Sequence, residues 1–245
     1  MNHVFNSWED GAKDNYLYRV FSFERLLQFI ETKQLVLVQP SMWEDPFENF
    51  FLSAIFTDSE GSEFSLNKQN TVFGQCWSLT RESDAMWRIY SQDQRGVKVR
   101  TTAGKLFNCI RKASNGLGSV YLGKVNYLPM TELNKLCENH DFVSMSGKSD
   151  IGAASTLFYK RREFKHENEV RIVFSNKTNG RESSKLLRFD VEPLELIDQI
   201  VFDPRINDDL YKVYSAHLEK IGFNNIKKSA LYEPPKLHIK LEQTT

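Results

Sequence analysis

Segments with the apolar spacing of strands and of helices follow one another in irregular order, and this order most constrains the fold. A strand over residues 16–21 leads into a helix in which Leu26, Leu27 and Ile30 share one face. Regular alternation of strand and helix would indicate a parallel sheet. The irregular mixture instead predicts an α+β fold with a twisted, largely antiparallel sheet flanked by helices.

Other local patterns give more specific expectations. Asn207 and Gly222 have the residue types that begin and end a helix over 208–221. A long strand is expected over 119–127, and helical structure over 129–158 with a break near 144–149. Strands over 169–175 and 186–191 flank a turn at 177–180 and predict a hairpin. A last strand is expected over 237–241.

Composition excludes several broad classes of protein. Lys and Arg together number 32, as do Asp and Glu, so no net charge attracts nucleic acid or an anionic membrane, and such a contact needs a local patch. No apolar run approaches the roughly 20 residues that span a bilayer. The three cysteines form no disulfide or metal-binding pattern, and no signal peptide is evident. A cytoplasmic protein without membrane contact is therefore expected.

Two glutamates immediately before an apolar strand are the strongest candidates for chemistry. Glu169 begins the segment 169–175, and a rigid element suits a catalytic group. Glu167 would point the same way if the strand extends back, because side chains alternate along a strand, and it would then orient or deprotonate an acceptor. The alternative is a charged loop ahead of a strand.

Candidates for ligand binding come from three other places. Arg19 can form two parallel hydrogen bonds to a phosphate, with Tyr18 on the opposite face of the same strand. Ser78 and Thr80 end another strand, where a simple Ser/Thr turn is the alternative. Trp87 and Tyr90 are core candidates of which one could stack on a ligand.

A basic segment precedes the glutamates. Lys160, Arg161 and Arg162, with Phe164 and Lys165, have the composition of a nucleic-acid contact, although a solvated end of a helix is equally consistent. The five histidines show no metal-ligand spacing, and no metal site is expected. No P-loop, dinucleotide fingerprint or serine-hydrolase motif is present, which disfavours those classes.

Several of these segments resemble one bacterial family, the domain-of-unknown-function family DUF2971. The similar segments are the strand with Tyr18-Arg19 and its helix, the turn from Trp43 to Glu48, the block FGQCWSLTRESDAMWRIYSQDQRGVKV, and Lys160 with Glu167-x-Glu169-x-Arg171. This chain has Glu44 where the family typically has Asn.

The order of Arg19, Ser78-x-Thr80 and Glu167-x-Glu169 further resembles the residues with which ADP-ribosyltransferases hold and cleave NAD. The resemblance implies a single domain over 1–245 with an ADP-ribosyltransferase-like split sheet. It implies NAD as co-substrate, bound by Arg19 and supported by Ser78, with Glu169 catalytic. Similar proteins are toxins of anti-phage systems, some with an antitoxin and a chaperone, and the expected acceptor is RNA more than DNA.

Two other classes of function remain open at this point. A metal-dependent nuclease would use Asp45, Glu48, Glu167 and Glu169, although Arg171 stands where nucleases commonly have lysine. A non-enzymatic regulatory or binding module would not depend on Glu169. Convergence of Arg19, Ser78 and Glu169 on one cleft would favour the transferase.

Overall fold

The computed structural model describes residues 3–5, 12–57, 60–65, 70–139, 142–144, 149–176 and 184–235. The strands are β1 His3–Phe5, β2 Tyr16–Phe21, β3 Gln34–Val38, β4 Ile55–Thr57, β5 Glu63–Ser65, β6 Val72–Ser78, β7 Val97–Thr102, β8 Gly118–Lys124, β9 Asn126–Leu128, β10 Tyr159–Arg161, β11 Glu169–Asn176, β12 Leu186–Asp190, β13 Gln199–Phe202 and β14 Ile226–Lys228. The helices are α1 Phe23–Thr32, α2 Asp84–Tyr90, α3 Ala103–Ala113, α4 Met130–Glu138, α5 Asp150–Thr156, α6 Pro193–Leu196 and α7 Asp208–Ile221. Short 3-10 helices cover Ala12–Asp14, Pro40–Met42, Pro46–Glu48 and Arg162–Glu167.

A ten-stranded sheet organises the fold in the order β1-β8-β11-β6-β2-β7-β13-β14, with β3 beside β6 and β12 beside β3. The pairs from β8 to β13 are antiparallel, and β1–β8 and β13–β14 are parallel. The expected α+β class, with a largely antiparallel sheet flanked by helices, is confirmed. None of the described helices is long and apolar enough to cross a membrane.

Strand β11 lies at the centre of the sheet and is buried along its whole length. Val170, Ile172 and Phe174 belong to the main hydrophobic core, whereas Val173 packs in a smaller cluster on the other face. Because side chains alternate along a strand, Glu169 and Arg171 lie on the face of Val173. This alternation places two charged side chains on the same face as a small apolar cluster.

Strand β6 shares one edge with two different strands. Gly74 pairs with Val38 of β3, and Ser78 pairs with Tyr18 of β2. Each of these two strands is paired with β6 at a single residue pair. Strands β2 and β3 therefore separate from each other along this edge, between Gly74 and Ser78. The divergence opens a cleft, described below, next to Trp77.

Helix ends follow the sequence signals. The Ser22 hydroxyl accepts a hydrogen bond from the Arg25 backbone at the start of α1. Asn207 caps α7 by accepting from the backbone of Asp209, and Gly222 ends that helix with a φ of 118°. The predicted helix over 208–221 is thus confirmed.

Some expectations differ from the structure. The hairpin between the strands over 169–175 and 186–191 is wrong, because β11 pairs with β6 and β8 while β12 pairs with β3. The predicted strand over 119–127 is two strands, interrupted at Val125, and the helical region over 129–158 contains α4 and α5. The turn at 177–180 and the strand at 237–241 lie outside the described residues.

Candidate active site

Three neighbouring strands bring the three sequence motifs together. Glu169 of β11 is paired with Ser78 of β6, and Ser78 is paired with Tyr18 of β2. Directly paired residues of antiparallel strands present their side chains on the same face. Glu169, Ser78 and Tyr18 therefore form a row across the sheet, and Arg19 follows next along β2.

Lys160 lies in the centre of three carboxylates beside this row. Its Nζ is 2.8 Å from Oε1 of Glu48 and 2.7 Å from Oε1 of Glu169, and it also donates to Oε2 of Glu167. The four side chains are each at most 7% exposed. The ammonium is therefore removed from solvent and satisfied by carboxylate oxygens alone.

Arg171 binds two of these carboxylates, those of Glu48 and Glu169, and has no exposed side-chain surface. Its Nε donates to Oε2 of Glu169 at 2.7 Å, its Nη2 to Oε1 of Glu48 at 2.6 Å, and its Nη1 to the carbonyl of Leu157 at 2.6 Å. The guanidinium also lies 4.5 Å from the ring centre of Trp43. We call Glu48, Lys160, Glu167, Glu169 and Arg171 the carboxylate cluster.

The two glutamates of the motif have opposite electrostatic environments. Burial raises the pKa of the Glu167 carboxyl to about 8, and its hydrogen bond to Glu169 and the charge of Glu169 act in the same direction. Burial alone would also raise the pKa of Glu169. Arg171, the hydrogen bond from Glu167 and Lys160 outweigh it and hold that pKa well below its usual range. The surroundings therefore favour the ionised form of Glu169 and the protonated form of Glu167.

Glu167 reaches the site by a different route from the one expected. The strand does not extend back to it, because Glu167 ends a 3-10 helix and Asn168 has a left-handed backbone with a φ of 46°. The Ser78 hydroxyl donates to the carbonyl of Glu167 at 2.7 Å and accepts from the backbone of Thr80 at 3.0 Å. Ser78 therefore holds the backbone at Glu167, and Thr80 completes a turn.

A cavity of about 140 Å³ lies next to the cluster. It is lined by Tyr18, Arg19, Val20, Cys76, Trp77, Ser78, Met86, Tyr90, Glu167 and Glu169. Arg19, Ser78 and Glu169 thus converge on one cavity, as the transferase hypothesis requires. The tyrosine at position 90 is exposed on its rim, whereas Trp87 is 1% exposed, donates to Glu82 and does not line this cavity.

A larger cleft of about 460 Å³ opens between β2 and β3. It adjoins the cavity, because Arg19 and Trp77 line both. Arg25 and Arg188 also line it, and its lining residues include no Asp or Glu. Arg19 forms no hydrogen bond or ion pair with any described residue, so its guanidinium is free to bind an anion.

The basic segment is divided among three environments. Lys160 belongs to the carboxylate cluster and is not available to a nucleic-acid phosphate. Arg161 lies between the rings of Phe47 and Phe164 and is 3.0 Å from Asp45. Arg162 and Lys165 are exposed. An acceptor contact would therefore use Arg162 and Lys165 rather than Lys160.

The sequence placed Glu48 with Glu167 and Glu169 only in the nuclease hypothesis, and it gave Arg171 no role in the transferase site. Each belongs to a segment noted for its resemblance to the family, but neither segment indicates that they meet, since they are far apart in the chain. Among the described ranges, no group of three His, Cys, Asp or Glu is arranged to hold a metal. The Lys160 ammonium occupies the position among Glu48, Glu167 and Glu169 that the nuclease hypothesis assigns to a metal.

The chain is similar in sequence to one family. The model of the family described as "Protein of unknown function (DUF2971)" matches residues 86–172. The matched segment includes Lys160, Glu167, Glu169 and Arg171, so the resemblance is confirmed there. No curated protein is significantly similar in sequence.

Solved structures with a distant likeness include those of DarT from Thermus sp. 2.9. The complex with NAD+ has 11% identity and a TM-score of 0.40, with 89% of this chain and 96% of that chain covered. The complex with carba-NAD+ has 12% identity, a TM-score of 0.37 and coverage of 88% and 95%. The complex with ADP-ribosylated ssDNA has 11% identity, a TM-score of 0.40 and coverage of 94% and 98%.

Proposed function

We propose that the protein is an NAD-dependent ADP-ribosyltransferase. The observation that supports this most directly is the placement of an ionised carboxylate, Glu169, and an unpaired guanidinium, Arg19, on one cavity. A carboxylate stabilises positive charge and a guanidinium binds phosphate, and cleavage of NAD needs both. The resemblance of the order Arg19, Ser78-x-Thr80 and Glu167-x-Glu169 to ADP-ribosyltransferases points to the same activity.

The reaction breaks the bond between nicotinamide and C1′ of the ribose. The electron pair of that bond leaves with nicotinamide, and the sugar passes through an oxocarbenium-like state, as in glycoside hydrolysis. In the proposal, Glu169 stabilises the positive charge on the sugar. An acceptor atom then attacks C1′, and Glu167 takes the acceptor's proton when its own carboxyl is ionised.

The adjoining cleft has the chemistry to hold the rest of the dinucleotide. A pyrophosphate carries two negative charges, and Arg19, Arg25 and Arg188 offer three guanidinium groups without a competing lining carboxylate. Phe29 and Trp77 provide aromatic surface for a base. Because Arg19 and Trp77 line both spaces, one extended ligand could occupy both.

The acceptor and the biological role are proposed more broadly. Exposed Arg162 and Lys165 next to Glu167 suit a nucleic-acid strand, and RNA is expected ahead of DNA. A toxin or anti-phage role, an antitoxin or chaperone as partner, and a cytoplasmic location stay predictions from the sequence. DarT of Thermus sp. 2.9 has been solved with ADP-ribosylated ssDNA, so DNA strands belong in the test.

The proposal is tested with NAD labelled in its adenylate half, incubated with single-stranded RNA or DNA. We expect Glu169→Gln to lower nicotinamide release and transfer of label by about 100-fold or more, because the amide cannot neutralise the positive charge. Gln is preferred to Ala because its carbonyl oxygen can still accept from Arg171, which limits the loss of stability.

The matched control is Glu163→Gln, which changes an exposed glutamate on the 3-10 helix that leads to Glu167. It should turn over NAD as the unchanged protein does. Equal nicotinamide release by Glu169→Gln and the unchanged protein would contradict the assignment. A role as a binding module predicts no NAD turnover from either.

A further inference from the structure

The carboxylate cluster contains unequal numbers of opposite charges. Glu48, Glu167 and Glu169 are three carboxyl groups, and Lys160 and Arg171 are two cations, so full ionisation leaves one negative charge. A buried charge without a partner is strongly unfavourable, and a buried group commonly changes its protonation instead. Binding of one proton would make the cluster neutral.

The contacts indicate which carboxyl group carries the proton. Both oxygens of Glu169 accept from a cation, and Oε1 of Glu48 accepts from Lys160 and from Arg171. Glu167 has one cationic partner among the described residues, Lys160, and the same ammonium also donates to Glu169. Two ionised carboxylates that share one ammonium repel each other, so the proton belongs on Glu167, which has fewer cationic contacts.

Glu48 supplies the charge that makes this proton necessary. It lies behind Lys160 and Arg171 and is not among the residues that line the cavity. We propose that Glu48 is a positioning residue whose negative charge keeps one proton on Glu167 at neutral pH. The catalytic consequence rests on the proposed function, whereas the proton itself does not.

The other titratable groups around Glu167 do not replace Glu48 in this role. They are Arg19 on β2, Cys76 on β6, Tyr90 on α2, Tyr127 on β9, Lys160 on β10, Glu163, Lys165 and His166 on its own 3-10 helix, and Glu169 and Arg171 on β11. Burial raises the pKa values of the Cys76 thiol and of the Tyr90 and Tyr127 hydroxyls, so these groups are neutral at neutral pH. The buried negative charges near Glu167 are thus Glu169 and Glu48.

Protonation of Glu167 affects the proposed transfer. A protonated Glu167 cannot accept the proton of an acceptor, so transfer should increase as pH rises through about 8, where this carboxyl ionises. Cleavage of NAD depends on Glu169, which stays ionised over that range. The two half-reactions should therefore differ in their dependence on pH.

Infrared spectroscopy of the free protein tests the proton without reference to activity, because a protonated carboxyl absorbs apart from a carboxylate. We expect such an absorption at pH 7 that titrates near pH 8 and is lost in Glu167→Gln. In Glu48→Gln the same absorption should titrate about one to three pH units lower, because one negative charge has been removed.

The matched control is Asp45→Asn, which removes a buried carboxylate from the same turn but leaves the cluster intact, since Asp45 pairs with Arg161. Its titration should follow that of the unchanged protein. The double variant Glu48→Gln with Lys160→Gln removes one charge of each sign, so the higher titration should return. If Glu48 had a purely structural role, the double variant would instead be less stable than Glu48→Gln and the higher titration would not return.

Two results would overturn the inference. One is the lack of a Glu167-dependent acid absorption in the unchanged protein at pH 7, and the other is an unshifted titration in Glu48→Gln. If Glu48→Gln does not fold, two other proteins test the inference, namely Glu48→Asp and the double variant. Glu48→Asp keeps the negative charge, so its acid absorption should titrate within about one pH unit of that of the unchanged protein. If these titrations succeed while no nicotinamide is released, the proposed function fails and the inference about Glu48 stands.

Discussion

The two glutamates of the motif have the same side chain but are held in different protonation states by their partners. Glu169 contacts both cations of the cluster, whereas Glu167 contacts one, Lys160. Pairs of titratable groups whose environments separate their pKa values are typical of acid–base chemistry. At the scale of residues, this difference fits the proposed reaction, in which Glu169 stabilises charge and Glu167 accepts a proton.

Glu167 should make the stability of the protein decrease as pH rises. Its pKa is raised from 4.5 to about 8, so the folded state binds more protons than the unfolded state between these values. The stabilisation is complete below pH 4.5 and is lost as pH rises through 8. Urea unfolding from pH 5 to pH 9 should show a decline that Glu167→Gln removes.

Glu169 contributes with the opposite sign. Its pKa is lowered, so its stabilisation is present above the unfolded value and is lost only as pH falls through the folded value. A comparison of the unchanged protein with Glu167→Gln isolates the alkaline effect. A constant difference in unfolding free energy between the two proteins across this range would contradict the assignment of the proton to Glu167.

The sequence singled out Glu169 and Arg19 as candidates, but it did not indicate the buried cations that pair with Glu169. Glu169 is evident because it begins an apolar strand, and Arg19 because its strand and helix are recognisable. Glu48 and Lys160 are separated by more than a hundred positions in the chain. Their contact depends on how β10 and β11 pack against the 3-10 helix Pro46–Glu48. No local pattern contains that information.

Strand β6 is the element that connects the parts of the site. It pairs with β11 along its length and contacts β2 and β3 at one residue pair each. Gly74 lies opposite Val173 of β11, and a Cβ there would approach Cζ2 of Trp43 to 2.7 Å. The missing side chain therefore leaves room for the ring that packs on Arg171.

Gly74→Ala should destabilise the fold by about 1–3 kcal/mol, because the added methyl group forces Trp43 away from Arg171. Denaturant unfolding measures the effect. The double variant with Trp43→Phe should recover part of the loss, since the conflicting ring atoms are removed. A single variant as stable as the unchanged protein would show that Trp43 moves without cost.

At the scale of elements, composition and spacing predicted most helices and strands but not how strands pair. Asn207 and Gly222 define α7 by their own chemistry, so the sequence suffices there. The hairpin after β11 failed because Leu186–Asp190 satisfies its hydrogen bonds with β3, a strand from the first part of the chain. Pairing partners depend on long-range packing, and a local turn signal does not determine them.

The whole molecule has no net charge, yet its charges are segregated. Arginines line the cleft between β2 and β3, whereas three carboxylates lie together at the neighbouring cavity, in contact with two buried cations. Attraction of a polyanion must therefore arise locally, and it will be sensitive to salt. The extent of the domain, 1–245, stays a prediction from the sequence.

Replacing Arg162 and Lys165 by Gln should weaken binding of single-stranded nucleic acid without lowering nicotinamide release. Each cation that contacts a phosphate contributes about 0.7 to the slope of log affinity against log salt, so the double variant should lower that slope by about 1.4. Fluorescence anisotropy at several salt concentrations measures it.

The control for this experiment replaces Arg111 and Lys112 by Gln. These residues are two exposed cations in the last turn of α3. It alters the net charge equally and should leave the slope unchanged. Equal slopes for all three proteins would place the acceptor elsewhere on the surface.

The single residue pair between β2 and β6 also bears on the cohesion of the molecule. Among the described strands, the register between the two halves of the sheet is the single pair Tyr18 and Ser78, and Arg19 and Trp77 line both the cavity and the cleft beside it. A ligand that occupies both the cavity and the cleft would contact both halves of the sheet. Its binding energy would then oppose separation of β2 from β6. The protein with the ligand bound should therefore resist separation of these two strands more than the free protein does.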